Sequence, residues 1–141
     1  MGKTKETTIK TGRMFRAMSI RENGVDEAAR TVQLSFSSEE PAERWFGREI
    51  LDHAPSSIRL DRLRNGGPIL DTHYGDQIGV AESVEIATDK GSALARFSRN
   101  HRADEVFQDI VDKIRRNVSV GYVVHRMVLE EASKEKGDLY R

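Results

Sequence analysis

The sequence has no cysteine, only three prolines, and aromatic residues at just 6% of the chain. Without cysteine there are no disulfides, no thiol nucleophile and no thiolate metal site, a composition compatible with a reducing cytoplasm. No apolar run approaches the roughly 20 residues that span a bilayer. Charge of one sign is missing too. Lysine plus arginine and aspartate plus glutamate number 23 each, for a formal net charge of zero. A balanced chain has no global field to gather nucleic acid or an anionic membrane, so neither is expected as a partner. Internal repeats and low-complexity tracts are also lacking.

What is there fits one compact domain of 141 residues, since half that length would bury too small a core. The opening MGKTKETTIKTG is polar and lacks the apolar centre of a secretory signal. Glu6 stands where a myristoylation signal needs a small hydroxyl residue, so lipidation is discounted. Residues 1–12 are expected to be a flexible tail and 13–141 the domain.

From Arg13 the pattern alternates, with Phe15, Ala17 and Ser19 on one face and Met14, Met18 and Ile20 on the other. Glu22-Asn23-Gly24 predicts a turn, and Val32, Leu34 and Phe36 a half-buried strand. Trp45 to Leu51 reads as a further strand, irregular at Gly47. Pro55-Ser56-Ser57 opens a short helix with Ile58, Leu60 and Leu63 as its apolar positions, stopped by Gly66-Gly67. Pro68 to Leu70 starts a strand leading to His73. Strands around Ile78–Ile86 and Ala93–Phe97 form a hairpin across Thr88-Asp89-Lys90-Gly91.

Ala103 to Arg116 is the clearest helix, with Val106, Ile110 and Ile114 at a spacing of four and Phe107 and Val111 widening the stripe. Val118 to Leu129 reads as one strand, and Asp138 to Arg141 as another just beginning. Strands joined by short turns predict a mainly β, α+β fold: an antiparallel sheet or small β-barrel with peripheral helices.

The histidines are His53, His73, His101 and His125. No two share the spacing of a metal site, and neither metal nor cofactor is expected. His73 lies between a strand and the turn Tyr74-Gly75-Asp76, where a rigid scaffold can present an imidazole to solvent. Ser119 enters a strand between Val118 and Val120, and Gly121 leaves room for a close approach. A solvated loop histidine and a strand-edge serine bonded to a carbonyl account for the same residues, and the residues alone leave both open.

Leu70-Asp71-Thr72-His73 with Gln77-Ile78-Gly79-Val80-Ala81-Glu82-Ser83-Val84 resembles the histidine block of tailed-phage prohead (capsid-maturation) serine proteases. The helix and then Ser119-Val120-Gly121-Tyr122 are similar to the block that follows in that family. Arg30 to Pro41 looks like the versions encoded as a fusion ahead of a major capsid protein. The likeness runs from about Phe15 to Arg141, and the order of the motifs is more specific than any one of them.

The resemblance implies a small β-barrel distantly similar to herpesvirus assemblins, with His73 as general base and Ser119 as nucleophile. It also implies a serine endopeptidase that cleaves capsid and scaffold segments. Such an enzyme would work as a homodimer or higher oligomer inside proheads assembling in a bacterial cytoplasm. The alternative is an inactive capsid-assembly or scaffolding module of the same fold. Two departures stand out: Tyr74 occupies the place of the family's usual aspartate, and the family's third catalytic member lies on a later strand, so the domain is expected to be incomplete at its C-terminus. Asp71, Asp76, Glu82 and Glu85 are near His73 in sequence. His125 is excluded as a bridge, since six strand residues at about 3.3 Å each put roughly 20 Å between it and Ser119.

Overall fold

Alternating apolar residues over Val32–Phe36 and Ala93–Phe97, with Ile78, Ala81 and Val84 beside them, pleat into neighbouring strands whose buried residues form one apolar surface. The computed structural model describes residues 5–7 and 12–141. In chain order the strands are β1 (Lys5–Thr7), β2 (Arg13–Asp26), β3 (Thr31–Ser38), β4 (Ala42–Arg44) and β5 (Gly47–Glu49). A single 3₁₀ turn (Pro55–Ser57) and α1 (Asp61–Arg64) then lead to β6 (Pro68–Leu70), β7 (Gln77–Ile86) and β8 (Lys90–Phe97). The chain ends through α2 (His101–Val111), β9 (Asn117–Val123), β10 (Met127–Glu131) and β11 (Leu139–Tyr140).

Two sheets form. One has six strands in the order β6-β7-β8-β3-β2-β9, and the other five in the order β1-β10-β11-β5-β4. All pairings are antiparallel except β11 with β5. The mainly β, α+β expectation therefore holds, but the expected closed barrel does not. Among the described residues no ladder joins β6 to β9, so the six-stranded sheet stays open along that seam.

Helix α2 lays Ala103, Val106, Phe107 and Ile110 on this sheet, where they meet Val32, Ile78, Ala95 and Phe97. The Phe97 and Phe107 rings sit 5.3 Å apart. Full burial of each large side chain contributes about 1.5–3 kcal/mol, which makes this the principal core. Asn100 caps the helix, its side-chain oxygen accepting from the Ala103 N–H at 2.8 Å. The helix ends at Val111 rather than Arg116, because Lys113 turns into the left-handed region (φ 62°). Ile114 consequently leaves the apolar stripe and stands 72% exposed.

Other boundaries move for similar local reasons. β2 runs through the expected turn at Asn23-Gly24, absorbing it as a register shift between Ile20 and Val25, and the chain reverses at Glu27–Arg30 instead. The expected strand at Trp45–Leu51 is split by a β4–β5 hairpin whose tip holds Trp45, 78% exposed. The expected helix from Pro55 shrinks to the 3₁₀ turn and α1, with Ile58 extended between them. The long strand expected over Val118–Leu129 breaks after Val123, and the chain crosses to the other sheet as β10. Of the expected tail, Lys5–Thr7 pair with β10, while residues 1–4 and 8–11 lie outside the described residues.

Candidate functional site

The site lies at the seam. Residues 71–76 form a closed turn after β6: the Asp71 N–H donates to the Asp76 carbonyl and the Gly75 N–H to the Thr72 carbonyl, each at 3.0 Å. His73 projects from this turn across the open edge of the sheet. Its Nε2 lies 2.9 Å from the Ser119 Oγ on β9, although forty-six positions separate the two in sequence. Both candidate residues are therefore brought together. With the ring proton on Nδ1, Nε2 accepts the serine hydroxyl, the geometry a general base requires. Ser119 is exposed and His73 half-buried, so the pair opens to solvent.

The motif Ser119-Val120-Gly121-Tyr122 divides between the two faces of β9. Ser119 and Gly121 face His73, and Val120 packs toward the core. Gly121 is paired with Phe15 on β2, whose ring contacts the His73 ring at 4.1 Å between centroids, tilted by 46°. Tyr122 turns to the back face and donates to Glu49 Oε1 at 2.5 Å. There Arg16 Nη2 reaches the same oxygen at 2.9 Å, and Arg44 donates to the Tyr122 hydroxyl at 2.8 Å and to the Phe15 carbonyl at 3.0 Å. Burial, followed by the hydrogen bond to Glu49, pushes the Tyr122 phenol above the ordinary tyrosine range. This backing network joins the two sheets behind the serine strand. Sequence reading missed it because charged positions within strands look like solvent-facing ones.

The turn is held from the side as well. Asp71 accepts from Arg102 of α2 (Nε at 2.9 Å, and also Nη2) and from Arg115 just past it at 2.8 Å. The Arg102 hydrogen bond first, and that of Arg115 next, hold the Asp71 carboxyl below the usual carboxylate range against the opposing effect of burial. Asp71 thus serves the arginines, not the imidazole.

Of the other sequence-proximal carboxylates, Glu82 is engaged elsewhere, pairing with Arg96 at 2.8 Å, and Asp76 and Glu85 are exposed, Asp76 offering its carbonyl to the turn. Among the described residues no carboxylate bonds His73 Nδ1. His125 stands exposed in the break after β9, and His101 pairs with Glu105 at 2.8 Å. Tyr74, in the place of the family's aspartate, is 83% exposed. Among the described residues no group of three or more metal-ligating side chains occurs.

A second serine–imidazole contact shows what the open pair is not. His53 Nδ1 donates to the Leu51 carbonyl at 2.8 Å, so its Nε2 accepts from Ser37 at 2.8 Å, with both residues buried. That pair satisfies core polar groups and is closed to any substrate.

Fold and site together define an α+β domain with a solvent-open serine–histidine pair set at the unpaired edge of a sheet. The chain is similar to part of a phage capsid protein: it is 44% identical over 111 residues to the major capsid protein of Halomonas phage phiHAP-1. The matched region takes in 75% of this chain but 18% of that protein, so the chain corresponds to a small part of its relative's length. No family model matches the chain, and no solved structure matches it.

Proposed function

We propose that this domain is a serine endopeptidase acting on capsid and scaffold segments during assembly of a phage head. The observation that carries the reading is the 2.9 Å approach of His73 Nε2 to the exposed Ser119 Oγ. A serine hydroxyl is a weak nucleophile until a neighbour removes its proton, and a neutral imidazole at this distance is matched to that task. Ser119 Oγ would bond to the scissile carbonyl carbon while its proton passes to His73 Nε2. Collapse of the tetrahedral adduct would break the C–N bond, with the leaving amine taking the proton from the imidazolium. Water, deprotonated by the same imidazole, would then release the acyl group and restore the serine. The capsid-related sequence supports capsid and scaffold segments as substrates and the interior of an assembling head in a bacterial host as the place of action. His73 and Ser119 are the proposed catalytic residues, and no cofactor is invoked.

A second reading, an inactive capsid-assembly module of the same fold, is favoured by the relative's description as a major capsid protein and by the absence of an Nδ1 carboxylate among the described residues. Loss of the orienting member of such a triad can cost about 10⁴ in rate without abolishing chemistry. Two measurements separate the readings. Co-expression with the phage's capsid polypeptide should give cleavage that disappears in Ser119→Ala and in His73→Ala; unchanged processing in both variants ends the endopeptidase reading. A fluorophosphonate probe should label Ser119 under the first reading and leave the protein unmodified under the second.

A further inference from the structure

The ring of His73 rests on the ring of Phe15, and Phe15 rests on the backbone at Gly121. A Cβ at position 121 would fall 3.1 Å from Phe15 Cε1 and 3.4 Å from Cδ1, so the absence of a side chain there gives the phenyl ring room to lie close against the serine strand. From behind, Arg44 holds the Phe15 carbonyl at 3.0 Å and the Tyr122 hydroxyl at 2.8 Å, fixing β2 and β9 on either side of this notch. An imidazole bonded through Nε2 alone keeps rotational freedom about that contact, and a triad carboxylate ordinarily removes it. Here no such carboxylate is present among the described residues, and the surface against the ring is aromatic.

We infer that Phe15 is a positioning residue for His73: packed beside Gly121, it sets the height and tilt of the imidazole over Ser119. The contact also gives the imidazolium formed on proton transfer an aromatic ring as neighbour, an arrangement that favours a cation. The consequence for catalysis rests on the endopeptidase reading, whereas the geometric consequence does not. A side chain at position 121 would crowd the Phe15 ring by a few tenths of an ångström, independently of any substrate.

The test compares the parent chain with Phe15→Leu, Phe15→Tyr and Gly121→Ala by NMR of the His73 ring protons and by the rate of fluorophosphonate labelling. In the parent and in Phe15→Tyr the His73 ring protons should carry a ring-current shift. Phe15→Leu should lose that shift and label ten- to a hundredfold more slowly, the scale of a misplaced reacting group. Gly121→Ala, which displaces Phe15 while keeping it aromatic, should move the His73 resonances with the aromatic ring retained. A similar melting temperature for Phe15→Leu and Phe15→Tyr separates positioning from simple destabilisation. Unshifted His73 ring protons in the parent, or measurable labelling at equal rates in the parent and Phe15→Leu, would overturn the inference. Should Phe15→Leu fail to fold, the parent and Phe15→Tyr spectra still decide it. A ring-current shift without labelling in any variant supports the seating of His73 and ends the endopeptidase reading alone.

Discussion

Arg115 Nη1 donates to Asp71 Oδ1 across 2.8 Å, tying the exit of helix α2 to the turn that carries His73. Asp71→Asn should free that turn while leaving the core intact. Exposed ion pairs contribute about 0.2–1 kcal/mol each, so the expected loss is about 1 kcal/mol. Because the native carboxyl is held below its ordinary value, this stabilisation is complete above the unfolded aspartate pKa of about 4 and disappears as pH falls through the lowered native value. Urea unfolding of parent and variant should differ at neutral pH and converge in strong acid; a constant difference across pH refutes the assignment.

Tyr122 predicts behaviour at the other end of the pH scale. Its phenol holds its proton to higher pH in the fold than in the unfolded chain. Stability attached to it is therefore present below the unfolded tyrosine pKa of about 10 and is lost as pH rises through the raised native value. An alkaline titration followed by phenolate absorbance should show a late phase that is missing in Tyr122→Phe. No change in that phase would count against the buried hydrogen bond to Glu49.

Glu49 is the hub of the backing network, with Arg16, Arg44 and Tyr122 all turned toward one of its oxygens. Glu49→Ala would leave the buried Arg16 guanidinium without its counter-charge. Removing one partner of a buried pair typically costs about 3–5 kcal/mol, so the urea midpoint should fall steeply. A drop no larger than that of a surface substitution would show that the network is not what joins the sheets.

Ile110 and Ile114 lie one helical turn apart in sequence and have opposite fates, the first buried in the core and the second in solvent. Ile110→Ala should cost about 2–4 kcal/mol and Ile114→Ala no more than about 0.5 kcal/mol. Equal costs would mean that the helix continues past Val111.

That pair also shows where sequence reading stops. The periodicity of Val106, Ile110 and Ile114 is genuine, but apolar spacing does not reveal a left-handed residue at Lys113, so the end of α2 was beyond its reach. The hairpin of β7 and β8 was legible because apolar patterning and a compact turn act locally, although the bulge between Glu82 and Glu85 was not. The open seam was not, since strand count does not specify whether the two edges of a sheet pair. The approach of His73 to Ser119 was legible only through the resemblance of motif order, as neither residue alone carries a signal. The roles of Phe15 and Glu49 went unread because each acts across strands distant in sequence.

The open seam between β6 and β9 has a mechanical consequence. Among the described residues, the His73–Ser119 bond crosses between these edges in place of a backbone ladder, with the Phe15 ring against His73 and the arginine clasp on Asp71 alongside. Parting them would break side-chain contacts rather than a row of cooperative amide bonds, so the candidate site sits where the sheet has no ladder. Amide hydrogens of β6 and its following turn should accordingly exchange well before those of β3 and β8, which have neighbours on both sides.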